Sequence, residues 1–418
     1  MKLSRMVEQA LGKLLAYCEA RGWQGYDPYD GLNSRLLGLL PFGGRTIRLA
    51  VIQSMKRSPI NLRPLLRVPE GRNPKALALF LSAYSRLHRS DPEAGYDTRC
   101  RRLTGMLDED VTPGYSGPAW GYNFDWQSRT SFVPAGTPNS VCTVFVAEAF
   151  LDAYEALGDS RYLELARAGC DFLLGDINRT SDETGSCFSY TPIDSTQVYN
   201  VSLLVAALLA RTYAYTGESA LLGVAREASR WAVARQNDDG SWYYSPLPWH
   251  QWIDNIHTGF NLTALADLAA YSRDDSLDGP LARGLDYYSR NLFEGAVPKY
   301  HNNRLYPIDV HSAAVAIVTL LRLAGFDDEN RSRAWRVAEW TTRMMQDPGG
   351  FFYYQRNRRY ANKISYMRWS QAWMCYALAH LLTTPRLTAP AARYRRRKGE
   401  QVITDAATPD VSADEMTG

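Results

Sequence analysis

The chain has 418 residues, 45% of them hydrophobic and 22% charged, with a formal net charge of +3. That balance belongs to a globular protein and excludes a fibrous or wholly disordered chain; with basic residues scattered apart from one run, RYRRRK (393–398), it also speaks against a nucleic-acid partner. Six cysteines (Cys18, Cys100, Cys142, Cys170, Cys187, Cys375) stand far apart, with no CxxC pair and no Cys/His group at zinc spacing, so reduced buried thiols are expected, with no metal and no cofactor.

The first 21 residues read as an amphipathic helix, an extra element whose charges break the apolar stretch that a secretion signal would need. No run of about 18 apolar residues follows, so no membrane span is expected and a cytoplasmic location is. The next segment, RGWQGYDPYDGLNSRL (21–36), is expected to fold over the mouth of whatever comes after it. From there apolar, Ala- and Leu-rich helices recur, each behind a short polar or aromatic phrase: GRNPKALALFLSAY (71–84), GTPNSVCTVFVAEAF (136–150), PIDSTQVYNVSLLVAAL (192–208), WIDNIHTGFNLTALADL (252–268), PIDVHSAAVAIVTLL (307–321) and YMRWSQAWMCYALAHLL (366–382). Asn73, Asn139, Asp194, Asp254, Asp309 and Arg368 mark the starts, 55 to 66 residues apart. Between them lie helices with one polar face, near 44–56, 94–107, 160–174, 219–235, 280–292 and 328–345. Six units of a polar and an apolar helix predict an all-α fold, an (α/α)6 toroid with inner and outer rings over residues 1–383. Residues 384–418, rich in Thr, Pro and Ala before the basic run, are expected to form a disordered tail.

Loop lengths separate the two faces of such a ring. LGDS (157–160), TGES (216–219) and GFDDEN (325–330) only stop one helix and cap the next. The opposite links run about 15–30 residues and hold most of the Trp, Tyr, His and Asn, so these groups converge on one rim. WAVARQNDDGSWYY (231–244) and MMQDPGGFFYY (344–354) carry the Gln-x3-Gly phrase of squalene-cyclase-like toroids; Gln236 ending a helix, Gly240 turning the chain and Trp242 packing between hairpins explain it structurally.

WHQWIDNIHTGF (249–260) is the densest constellation. Asp254 and His257 are catalytic candidates at the start of one inner helix, with Trp249, Trp252 and Asn255 beside them; Asp309 and His311 repeat the pair in the next unit. Asp254 is equally a helix cap, and His257 equally a satisfied core residue. Substrate-binding candidates are Asp194, Gln197, Tyr199 and Asn200 in one link, Arg368 and Trp369 in another, Tyr306 ahead of Asp309, and Trp120, Tyr122, Asp125 and Trp126 in the longest link, a lid or stacking wall. Arg368 either binds an anionic sugar group or forms an ion pair that closes the ring. Asp27, Asp30 and Asn33 either bind sugar hydroxyls or organise a turn.

YDPYDGLNS (26–34), NPKALALFL (73–81) and WIDNIHTGFNL (252–262) resemble the pattern of VpsJ-type proteins, encoded with bacterial exopolysaccharide-biosynthesis genes, over roughly residues 20–383. The toroid itself resembles those of glucuronyl C5-epimerases, polysaccharide lyases and glycoside hydrolases, although the epimerase phrase Tyr-Asp-Leu-Arg-His is not reproduced. The resemblance implies a glycan or glycan-lipid substrate, uronate-containing or not, and peripheral association with polysaccharide-assembly proteins. As an epimerase or lyase, the site would use His257, His311 or a rim Tyr as general base, with Arg368 or Asn255 neutralising a uronate. A glycoside hydrolase would instead draw acid and base from Asp194, Asp254 and Asp309. In a third reading the rim only binds, as a non-catalytic glycan- or lipid-carrier subunit or assembly scaffold.

Overall fold

The computed structural model describes residues 2–39, 44–128, 131–327 and 329–384. The expected tail therefore lies outside the described residues, apart from Thr384. Thirteen α-helices are described: α1 (Lys2–Glu19), α2 (Arg45–Arg57), α3 (Pro74–Ser90), α4 (Tyr96–Glu109), α5 (Ser140–Leu157), α6 (Ser160–Gly175), α7 (Tyr199–Thr216), α8 (Ser219–Val233), α9 (Asn255–Ser272), α10 (Asp278–Asn291), α11 (Val310–Arg322), α12 (Glu329–Met345) and α13 (Trp373–Thr383).

Local chemistry sets most of the starts. Asn73, Asn139, Asp254 and Asp309 each sit in extended backbone and accept from a backbone N–H of the first turn, those of Lys75, Cys142, His257 and His311. On the opposite face Gly158 and Gly217 end α5 and α7 in the left-handed conformation, and Asp159 caps α6. Two starts differ from expectation. The chain enters α7 at Tyr199, because Asp194 is spent on a preceding turn, accepting from the N–H and hydroxyl groups of Thr191 and Thr196. Near Arg368 the chain begins with a π-turn, Met367–Ala372, before settling into α13.

The inner helices pack α3, α5, α7, α9, α11, α13 and back to α3, closing a ring. Helices α4, α6, α8, α10 and α12 lie outside against the inner helix that precedes each, giving an (α/α)6 toroid. The sixth outer place is a correction to the sequence reading. Helix α1, read there as an extra, packs on α12 and α13, whereas α2, read as the first outer helix, rests on the 30–33 turn and the strand at Trp126–Gln127.

The Gln phrases show the same closure. Gln236 Nε2 donates to Gly240 O and to Pro280 O of α10, both at 2.9 Å; Gln346 Nε2 donates to Gly350 O at 3.0 Å and to Ala10 O of α1 at 2.9 Å. Thus α1 stands to α12 as α10 stands to α8. Gly240 (φ 88°) and Gly350 (φ 102°) let the backbone touch that next helix: a Cβ would lie 2.3 Å from Arg283 O and 2.5 Å from Lys13 O.

A cavity of about 80 Å³ runs between the inner helices, bounded by Phe145, Phe260 and Trp373 and, further along, by Glu148, Asp152, Arg211, Asp267 and Arg322. These charges satisfy one another: Arg211 binds Glu148, Asp152 and Glu155, and Arg322 pairs with Asp267 at 3.0 Å. Among the described residues no helix is long and apolar enough to cross a membrane, and all six cysteines are free and buried.

Candidate functional site

The mouth is the face where the inner helices begin. On α9, capping holds Asp254 in place: its Oδ1 accepts from His257 N at 2.8 Å, while Oδ2 lies 2.7 Å from His257 Nδ1 and 3.1 Å from Trp252 Nε1. Burial alone would raise this carboxyl; the charge and hydrogen bonds of His257 outweigh it and hold Asp254 below the ordinary carboxylate value. The His257 side chain keeps 30% of its exposure. Tyr244, stacked on Trp252 with centroids 4.8 Å apart, meets the His257 ring edge-on at 4.6 Å. The imidazole is thus fixed by one nitrogen and flanked by aromatic walls, with the other nitrogen left over.

Aromatic contacts lead inward from there. Phe260 lies 6.2 Å from His257 and 6.3 Å from His311, whose ring also meets Trp369 at 4.4 Å and Trp373 at 4.7 Å. Asp309 is fully buried; its Oδ1 accepts from His311 N and Trp369 Nε1, each at 2.9 Å, and its Oδ2 from Gln355 Nε2 at 2.8 Å. Burial, only partly offset by these neutral donors, pushes Asp309 up to about 6. No second Asp–His pair forms here, since Asp309 bonds the backbone of His311 and not its ring.

The segment expected over the mouth is there, held by charge. Arg368 grips Asp27 through Nε and Nη2 at 2.7 and 2.9 Å, with its guanidinium over the rings of Tyr122, Phe124 and Trp369. Arg63 binds Asp30 at 2.5 Å and the Asp27 carbonyl at 2.7 Å. Asn33 donates to Asn123 O and accepts from Asp125 N, and Asp125 accepts from Ala135 N. Asp27, Asp30, Asn33 and Asp125 thus organise turns in this structure, and Arg368 forms the ion pair with Asp27 that joins the covering segment to the last inner helix. Tyr122 and Trp126 do converge on the mouth, around Tyr190, Tyr122 by a hydroxyl contact of 3.0 Å and Trp126 by its ring.

Four of the other candidates are engaged by neighbouring residues. Trp120 is buried between hairpins, its Nε1 on Leu107 O and its ring on Phe150. Tyr199 packs outward on Trp231, and Asn255 is consumed by Leu292 O and the Tyr288 hydroxyl. Asp194 is spent on its turn, as described above. Asn200 is buried at the start of α7 with its Oδ1 unpaired, Gln197 is half-buried before it, and Trp249 and Tyr306 are exposed.

Several mouth residues escaped the sequence reading. Tyr29 sits edge-on to Trp369 and accepts from Lys56 Nζ at 2.6 Å; Tyr190, Tyr244 and Tyr300 are half-buried phenols whose pKa desolvation raises. Lys75 is the most unusual. It is buried in the first turn of α3, with Nζ 4.0 Å from the centroid of Phe145, and burial, then Arg368, drive its amine well below the usual lysine value. The signal for it was a lone charge inside the apolar phrase NPKALALFL.

No family model and no curated protein sequence matches the chain. Solved structures do. An unsaturated glucuronyl hydrolase specific for heparin aligns over 95% of this chain and 97% of its own, at 13% identity and a TM-score of 0.60. A cellobiose 2-epimerase from Bacillus thermoamylovorans aligns over 74% and 87%, at 13% identity and a TM-score of 0.58. A GH76 alpha-mannanase of Bacteroides thetaiotaomicron aligns over 74% and 86%, at 14% identity and a TM-score of 0.57. With these proteins the chain shares the fold, the (α/α)6 toroid.

Proposed function

We propose that this protein is an enzyme acting on a sugar, and that His257, oriented by Asp254, is the base that removes a proton from carbon. The observation that carries the reading is the 2.7 Å contact between His257 Nδ1 and a buried carboxylate on a ring that stays partly exposed. Donating Nδ1–H to Asp254 fixes the tautomer, so Nε2 holds the lone pair, and the imidazolium formed on proton transfer is stabilised by the same carboxylate. A proton on a carbon next to a carbonyl, or next to a carboxylate whose charge is neutralised, is the one such a base can remove. Reprotonation of the carbanion from the opposite face, by water or a second acid, gives an epimer; expulsion of the β-substituent, with a proton supplied to the leaving oxygen, gives a lyase product.

The hydrolase alternative has less support. It needs two carboxyl groups open to a glycosidic bond, whereas Asp194, Asp254 and Asp309 each have their oxygens engaged by donors, and the last two are buried. That toroids of this fold include a cellobiose 2-epimerase and an unsaturated glucuronyl hydrolase supports a sugar substrate. The phrases shared with VpsJ-type proteins support a glycan or glycan-lipid of exopolysaccharide assembly, with the protein acting in the cytoplasm beside the assembly machinery.

The test is solvent exchange. Incubated with mono- and oligosaccharides in D2O, the protein should introduce deuterium at one sugar carbon, seen by NMR, and His257→Gln should slow this by roughly 10²–10⁴-fold with the fold intact. Sugars that bind without exchanging any proton would leave a binding protein, and the base assignment would fall.

A further inference from the structure

Three buried polar side chains gather at the floor of the mouth. Lys75 on α3, His311 on α11 and Trp373 on α13 retain 3%, 2% and 2% of their exposure. Neither ring nitrogen of His311 has a hydrogen-bond partner, and neither does Trp373 Nε1. Lys75 Nζ faces the rings of Phe145, Phe260 and Trp373 at 4.0, 5.3 and 5.5 Å, with no carboxylate paired to it among the described residues. The three form one cluster, since the His311 and Trp373 rings lie 4.7 Å apart. Their positions follow from the helical period. Lys75 and His311 sit one turn ahead of Leu79 and Val315, which line the axial cavity, so both point at the axis on the mouth side of it.

Leaving buried donors unpaired costs about 1–3 kcal/mol each, more for a charged group, and native proteins rarely accept it without a use. What these groups offer is almost all donor: an amine, an indole N–H and one imidazole N–H. Such a set matches an anion stripped of water, and the aromatic walls match the face of a ring. We propose that Lys75, His311 and Trp373 form the subsite for the carboxylate of an acidic sugar, which makes a uronic acid the substrate class of this mouth.

This rests on the reading that the mouth handles a sugar, and deepens it. In a uronate the carbon next to the carboxylate carries the acidic proton, so an anchored carboxylate and the His257 base would serve the same carbon. Arg368 and Asn255, the groups first expected to hold a uronate, already bond Asp27 and Leu292 O with Tyr288, whereas Lys75 has no carboxylate paired to it among the described residues.

A consequence is proton uptake. In the empty site burial, and next Arg368, disfavour the charged Lys75, opposed by Cys142 and Asp27; for His311 burial, Lys75, Arg368 and His257 all act against the cation. An anion supplies the missing counterion and raises the amine's pKa. Affinity should therefore fall as pH rises through the value in the complex.

The test is calorimetry on the full chain with D-glucuronate, D-glucose and inorganic phosphate, in two buffers of different ionisation enthalpy. Glucuronate should bind at least about tenfold tighter than glucose with uptake of a proton, and Lys75→Met should weaken glucuronate by roughly 10–100-fold while leaving glucose unchanged. Trp373→Phe keeps an aromatic ring but removes the indole N–H together with part of the ring, and should weaken glucuronate by about 3–10-fold while leaving glucose unchanged, a check that stands even if Lys75→Met does not fold. Equal affinity for the two sugars, or a preference that survives both substitutions, overturns the subsite. Phosphate binding as tightly as glucuronate and lost in Lys75→Met overturns the sugar carboxylate in favour of a free anion. His257→Gln should still prefer glucuronate, so loss of the subsite and loss of the base reading are told apart.

Discussion

Asp254 and Asp309 perform the same local task, capping adjacent inner helices, yet their surroundings move them in opposite directions. Asp254 faces a histidine ring, whose charge holds it down against burial; Asp309 has only neutral donors and Lys56 against burial, which pushes it up to about 6. Because the folded value of Asp309 lies above the unfolded one, folding favours its protonated form. Its contribution is complete below about pH 4 and is lost as pH rises through about 6. Asp309→Asn, which cannot ionise, should gain on wild type over that window by on the order of 3 kcal/mol and hold the gain above it. Melting curves from pH 4 to 8 check this; a difference that does not change with pH would contradict the assignment. Asp254→Asn keeps the capping oxygen but loses the charge behind His257. Proton exchange should fall by roughly 10²–10⁴-fold while the melting temperature moves little. A large fall in stability with exchange retained would return Asp254 to a purely structural role.

At the scale of elements, the toroid is assembled by contacts repeated from one unit to the next, and Gly240 makes one of them. Its positive φ and the nearness of Arg283 O leave no room for a side chain, so Gly240→Ala should destabilise by more than about 2 kcal/mol through strain and lost packing of the next hairpin. Gly105, inside α4 with open space around it, is the control: alanine there should be neutral or stabilising. Denaturant midpoints of the two variants give the comparison. The covering segment is held differently, by a buried ion pair. Arg368→Met leaves the Asp27 carboxylate without its cation and should cost roughly 3–5 kcal/mol, most of it recovered when Asp27→Asn is added. Additive losses in the double variant would mean that the two residues act independently.

For the molecule as a whole, closure of the outer ring depends on its first helix. Helix α1 buries Val7, Leu11, Leu14 and Leu15, which at about 1.5–3 kcal/mol each is comparable to the whole stability of an ordinary domain. Removing residues 1–21 should therefore abolish cooperative unfolding, whereas removing 385–418, a stretch poor in apolar residues, should leave the melting temperature within a few degrees. Calorimetry on the two truncations distinguishes an integral helix from an appendage. A well-folded protein lacking α1 would refute its place in the ring.

The recurring phrases determined the six-fold alternation, the short and long faces and four of the six inner-helix starts, because a cap and a helical stripe are read within a few residues of chain. They also brought His257 and Asp254 together, three residues apart on one turn. Tertiary structure alone decided the rest. That α1 and not α2 closes the ring depends on Ala10 meeting Gln346, and that Arg368 serves as an ion pair depends on Asp27, 341 residues away. Lys75 looked like one charge in an apolar helix until four other inner helices set Phe145, Phe260, His311 and Trp373 around it. Sequence encodes the period of a helix locally, whereas the burial and charge that set an amine's chemistry are sums over neighbours that only the closed ring brings together.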